Sequence, residues 1–169
     1  EGDMSVRAMV DRAAARAEKG LGEDPLVEAE VRSMLAFNYK RMGEPERALP
    51  QLRRQIEILE TARGTEADET LDALTVLGGV LQDCDLALEA EPIVRRVAEL
   101  RRAKLGENDP VTLQAQSYLS VVLRRLDRLD EADDAVDGGE VAVLSLDPFG
   151  KSAPDLPIGV TDYATSVRV

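Results

Sequence analysis

Leu105-Gly106-Glu107-Asn108-Asp109-Pro110 decides how this chain is to be read, because versions of it recur at a constant distance. Its glycine has counterparts at Gly64 and Gly22, so the three stand 42 residues apart. The same step of 42 relates Leu35, Leu77 and Leu119, then Ala48, Ala90 and Ala132, then Leu52, Val94 and Val136, and finally Pro50 and Pro92. A self-similar period of this length, carried by helical patterning, indicates a solenoid whose units bury their apolar faces only against neighbours.

Working outward from the Asp-Pro pair gives the helices. Asp is a favoured N-cap, and Pro suits the first helical position, where its missing N–H would have had no partner. Asp24-Pro25 and Asp109-Pro110 use that device, whereas Thr65 with Asp68 is expected to start the middle unit as a capping-box-like pair. From Pro25 to Met42 the apolar residues Val27, Val31, Met34, Leu35, Tyr39 and Met42 fall three or four apart, which predicts one amphipathic helix. Gly43-Glu44-Pro45 breaks it, and Ala48, Leu49, Leu52, Ile56 and Leu59 restart the pattern to about Thr61. Two such helices joined by a short turn make a hairpin. The second unit repeats this with Leu71, Leu74, Leu77 and Leu81, then Leu86, Ala90, Val94, Val97 and Leu100. In the third, Leu113, Leu119, Val122, Leu123 and Leu126 are followed by Leu129, Ala132 and Val136. Where the first turn has Gly43 the second has Asp85, so that turn must be made with less backbone freedom or in another conformation. Pro50 and Pro92 place each return helix's start shortly before them, or a bend at them.

The ends are less regular. Ser5 to Lys19 has a narrow apolar stripe and, shifted by 42, falls on a return helix, so residues 5–20 read as a half-repeat, either a cap or the remnant of a further unit. The full units are 22–63, 64–105 and 106–147. Gly138-Gly139 is expected to fray or kink the last return helix. The tail, 148–169, shows no helical stripe and is expected either to be disordered or to pack over the last hairpin. A start at Glu1 instead of Met suggests a piece of a longer protein.

Composition agrees with a helical body. Apolar residues make up 44% of the 169 but aromatic ones only 3%, so the core must be aliphatic. With 21 basic and 33 acidic residues, net charge −12, the chain has no general attraction for nucleic acid or anionic lipid. No apolar run approaches the roughly 18 to 20 residues that cross a bilayer. There is no histidine, which removes the commonest general base and metal ligand. Cys84 is the lone cysteine; it suits a reducing compartment such as the cytoplasm and has no histidine to activate it. Gly78-Gly79 and Gly138-Gly139 lack the Lys-Ser/Thr of a phosphate loop, and the many carboxylates read as solvated helix faces. The expectation is a non-enzyme with no cofactor and no metal.

A leucine followed by a small residue (Leu35-Ala36, Leu77-Gly78, Leu119-Ser120), an apolar residue four further on (Tyr39, Leu81, Leu123), a turn, and an alanine in the return helix (Ala48, Ala90, Ala132) resembles the tetratricopeptide repeat. The 42-residue period and the Leu-Gly-Glu-x-Asp-Pro linker resemble the longer variant of kinesin light chains and of many bacterial signalling proteins. The resemblance covers about Gly22 to Ser145. It implies an all-α solenoid of antiparallel hairpins wound as a right-handed superhelix, with the leading helices on the concave side, binding a protein or peptide partner. Carried over by position, the lining is Glu30, Ser33, Phe37 and Lys40, then Asp72, Thr75, Gly79 and Gln82, then Gln114, Ser117, Val121 and Arg124. Phe37 reads equally as an apolar anchor or as packing. Lys40, Arg41, Arg124 and Arg125 read either as selectors of acidic groups or, preferred here, as complements to helix dipoles. The paired asparagines that hold a cargo peptide in kinesin light chains are replaced by Ser33-Met34, Thr75-Val76 and Ser117-Tyr118. Two further readings stand beside an interaction scaffold: a regulatory segment of a larger bacterial signalling enzyme such as a Ser/Thr kinase, and self-assembly through end hairpins.

Overall fold

The computed structural model describes residues 5–20 and 24–135, and among them the chain forms seven helices and no strand. They are α1 (Val6–Glu18), α2 (Pro25–Arg41), α3 (Pro45–Arg63), α4 (Asp68–Asp83), α5 (Ala87–Leu105), α6 (Pro110–Arg125) and α7 (Leu129–Asp134). Each packs on the helix before it and the helix after it, and α4 also meets α6. The all-α solenoid expected from the repeat is therefore what forms. Gly22, Gly138-Gly139 and the tail lie outside the described residues.

The helix starts follow local chemistry. Asp24 accepts a hydrogen bond from Leu26 N at 2.9 Å and Asp109 one from Val111 N at 2.8 Å, each with Pro in the first turn. Ser5 caps α1 in the same manner, accepting from Ala8 N at 3.3 Å. The middle unit departs from expectation. Its helix begins at Asp68 with Ala67 as N-cap and no side-chain cap, so Thr65 and Asp68 make no capping box. Asp68 and Glu69 instead lie in the first turn, where negative charge complements the helix dipole. Thr70 Oγ1 donates to Gly64 O at 2.8 Å and ties the start of α4 to the end of α3.

The turns inside the hairpins share one conformation. Gly43, Asp85 and Asp127, spaced by 42, have φ of 73°, 58° and 60°. Asp85 thus adopts the left-handed geometry of Gly43, which aspartate tolerates better than most side chains. Pro50 and Pro92 sit five residues into α3 and α5, in the first part of each helix.

The hairpin crossings are where the repeat is tightest. Ala48, Ala90 and Ala132 are wholly buried, as are Leu81 and Leu123, with Tyr39 nearly so. A methyl group on Gly78 would come within 2.5 Å of Val94 Cγ2, so α4 and α5 approach at a distance that excludes a larger residue at that point.

Candidate functional site

The leading helices α2, α4 and α6 carry the candidate residues at equivalent positions, but the structure does not present them equally. On α2, Glu30 is exposed and Ser33, Phe37 and Lys40 are half-buried. On α6, Gln114 and Ser117 are half-buried while Val121 and Arg124 are exposed. On α4 only Asp72 of the expected set is exposed; Thr75, Gly79 and Gln82 are buried. In fact α4 exposes only Asp68, Glu69, Asp72 and Asp83.

The cause is the next leading helix. A methyl group on Gly79 would lie 3.9 Å from Tyr118 Cε1, so the row that includes Gly79 faces α6. At one end of that row Thr75 Oγ1 donates to Leu71 O at 2.8 Å within α4 itself. At the other, Gln82 O accepts from Arg125 Nη1 at 2.7 Å, while Gln82 Nε2 is buried without a hydrogen-bond partner. Thr75 and Gln82 are therefore set in the packing between units, and the accessible part of the expected row lies on α2 and α6, with Asp72 between.

Ion pairs hold most of the cations named from sequence. Lys40 Nζ lies 3.2 Å from Asp83 Oδ2, joining the ends of α2 and α4. Arg124 Nη2 lies 2.8 Å from Asp133 Oδ1, and Arg125 adds a 3.4 Å contact to Asp85. The Arg41 guanidinium stands over the Phe37 ring, 5.5 Å from its centroid. Arg125 does cap a helix end, but the end of the neighbouring helix α4 and not its own.

Two polar clusters escaped sequence reasoning. Arg32 is buried, and its guanidinium donates to Glu28 Oε1 at 2.7 Å, Gln51 Oε1 at 3.0 Å and Ala17 O at 3.1 Å, joining α1, α2 and α3. The Arg32 hydrogen bond, offset in part by burial, holds the Glu28 carboxyl below its usual range. The second cluster is a ladder between return helices. Arg53 pairs with Glu89 and Arg95 with Glu131, and the equivalent pair one unit earlier is Asp11 with Arg47, the same places with the charges exchanged. Arg47 stacks on Tyr39 at 4.4 Å and holds Asp11 below its ordinary pKa. The repeat itself was the signal for this ladder: partners are 36 apart in each case and successive rungs 42 apart.

Burial, with Glu46, Asp83 and Asp85 nearby, pushes the Cys84 thiol up, away from the thiolate a nucleophile needs. Among the described residues no three His, Cys, Asp or Glu side chains are grouped to hold a metal ion, and no helix is long and apolar enough to cross a membrane.

Known proteins share this arrangement. Residues 70–111 match the family model described as tetratricopeptide repeat, a stretch running from α4 through α5 to the start of α6. Nearly identical TPR-like repeats named for the kinesin light chain of Podosopora anserina superpose with a TM-score of 0.64 at 19% identity, covering 76% of this chain and 61% of that one. BtubC (BKLC) from P. vanneervenii gives 0.60 at 19% identity, covering 77% of this chain and 52% of that one. At such identity the likeness is one of fold. A Mycobacterium tuberculosis protein, named only as the member of a numbered family, is 64% identical over 57 residues, which is 31% of this chain and 24% of that protein. The chain spans about a quarter of that curated relative and between half and two thirds of the two structures. Residues 70–111 thus match the tetratricopeptide repeat, and the described residues share the fold of kinesin-light-chain-like repeat arrays.

Proposed function

We propose that this array is a non-catalytic protein-interaction module that receives a peptide or partner segment along its leading helices. Its units are 22–63, 64–105 and 106–147, preceded by the half-repeat 5–20 and followed by the tail 148–169. The observation that carries the reading is the contrast along that row: the apolar side chains of α4 are consumed by helix packing, while α2 and α6 keep polar and apolar groups within reach of solvent. Glu30, Ser33, Phe37 and Lys40 form one contact patch, and Gln114, Ser117, Val121 and Arg124 the other, with Asp72 between them. Because Thr75 and Gln82 are buried, the partner bridges two patches and does not fill a continuous groove. A helical or extended segment with an apolar side chain for Phe37 or Val121 fits this layout.

The test is capture of binding partners by the intact chain, followed by mapping of the bound segment. The pair Phe37→Ala and Arg124→Glu is expected to abolish capture at unchanged helical circular dichroism. Undiminished capture by that variant would remove this surface from consideration.

A further inference from the structure

One row of side chains is treated differently on α4 and on α6. Leu71, Thr75, Gly79 and Gln82 of α4 are buried, Leu71 to 1% exposure. The helix α6 lies over that row, with Tyr118 at Gly79 and Arg125 on the Gln82 carbonyl. One unit later the equivalent Leu113 and Val121 are 38% and 39% exposed, Ser117 is half-buried and Arg124 is exposed. Spaced by four, four and three residues, these four form one face of α6. Among the described residues no further leading helix covers it, since α6 packs on α4, α5 and α7.

A solenoid stacks its helices in chain order, so the sequence that follows is the first to reach this face. The return helices α3 and α5 have 19 residues each, and a return helix of that length from Leu129 ends at Asp147. Just beyond, Phe149-Gly150 and Pro154 repeat Leu105-Gly106 and Pro110 at a step of 44, the period with two residues added. The same step places Tyr163-Ala164 on Leu119-Ser120, Val167 on Leu123 and Arg168 on Arg124. The large, small and apolar residues of a helix crossing thus occur a fourth time. Asp162 takes the place of Tyr118, over Val121 and one turn from the exposed Arg124, so a carboxylate there meets a cation. Propensity alone does not make this segment a helix. Pro157 lacks the N–H with which its counterpart Leu113 bonds to Asp109 O, and Gly159 adds backbone freedom, so the helix needs a template to form against. We propose that residues 154–169 dock as a fourth leading helix on the Leu113, Ser117, Val121 and Arg124 face of α6. They act as an intramolecular strap over the patch assigned above to a partner, which has to displace them. The docking itself does not depend on that assignment.

The test is chymotrypsin cleavage after Tyr163 in the full chain, followed by mass spectrometry, with the free peptide 148–169 as the uncovered reference. Cleavage in the chain is expected to be about tenfold slower than in the peptide, because a protease reaches a docked segment only through its open form. Val121→Asp, and separately Val167→Asp, bring the rate to within about a factor of two of the peptide's. Buried Tyr39 and Tyr118 stay resistant in both variants and report that the helical body is intact. Phe37→Ala leaves cleavage slow. Cleavage as fast in the parent chain as in the peptide, or slow cleavage indifferent to both substitutions, would overturn the proposal. So would protection that appears only as chain concentration rises, with a dimer in light scattering, since the segment would then cover a second copy. Partner capture plays no part in this measurement, so this proposal and the preceding one fail separately.

Discussion

The helices α2 and α4 occupy the same place in successive units, yet one keeps apolar side chains in solvent and the other almost none. Met34 and Val76 are equivalent by the repeat, and they are 60% and 7% exposed. The difference does not come from residue type, since both are apolar. It comes from neighbours: among the described residues α4 packs on α3, α5 and α6, whereas α2 packs on α1 and α3 and reaches α4 at the Lys40–Asp83 ion pair near their ends. In a one-dimensional array stability is a sum of unit and interface terms, so among the described residues the unit holding α2 has fewer interfaces than the unit holding α4.

The sharpest way to break this comparison is to place the same charge at both positions. Val76→Asp buries a carboxylate among apolar helices and is expected to cost at least about 3 kcal/mol or to prevent folding. Met34→Asp is expected to change stability by no more than about 0.5 kcal/mol, the usual range for an exposed site. Equilibrium urea unfolding measures both, and equal losses would show that Met34 is covered in solution.

The next effect concerns what replaces apolar packing at the α1–α2–α3 junction. Arg32 donates to three acceptors there, and Arg32→Ala leaves the buried Gln51 side chain and the Ala17 carbonyl without their donor, a loss of about 1 to 3 kcal/mol. The same substitution alters acid sensitivity. Because Glu28 is held below its ordinary 4.5 when folded, it contributes stability that is complete above that value and lost as pH falls through its depressed folded pKa. Removing Arg32 takes away the main cause of that depression, so the variant's stability should fall less steeply below about pH 4.5 than the parent's. Parallel slopes would place the acid response elsewhere.

These contrasts also mark what could be read in advance. Leu35, Leu77 and Leu119 and the three alanines declare the hairpin because helix crossings demand large and small residues at fixed places, and the period repeats that demand. Contacts between successive leading helices are harder to see. Thr75 and Gln82 look like surface residues because they are polar, and their burial depends on how closely α6 lies on α4, which Gly79 and Tyr118 decide together. Arg32 is concealed for a related reason. Its counterparts are Leu74 and Gln116, so nothing in the repeat indicates that an arginine there turns inward to a carbonyl of α1.

The smallest expected effect refines the comparison at the turns. Asp85 and Gly43 hold the same left-handed backbone, so turn geometry is imposed by the hairpin and not by the residue. If so, Asp85 bears a conformational cost that glycine avoids, while its carboxylate gains only a 3.4 Å contact with Arg125 at an exposed site. Asp85→Gly should therefore stabilise the array by about 0.5 kcal/mol, a net of relieved strain against the added freedom of the unfolded chain. Gly43→Ala, which forces a side chain into the same geometry with no hydrogen-bonding group to compensate, should cost about 1 kcal/mol. Opposite signs for the two, measured by urea midpoints at constant slope, would establish that each hairpin enforces one turn on whatever residue stands there; a loss in both would mean that the Asp85 carboxylate does more for the turn between α4 and α5 than its backbone takes away.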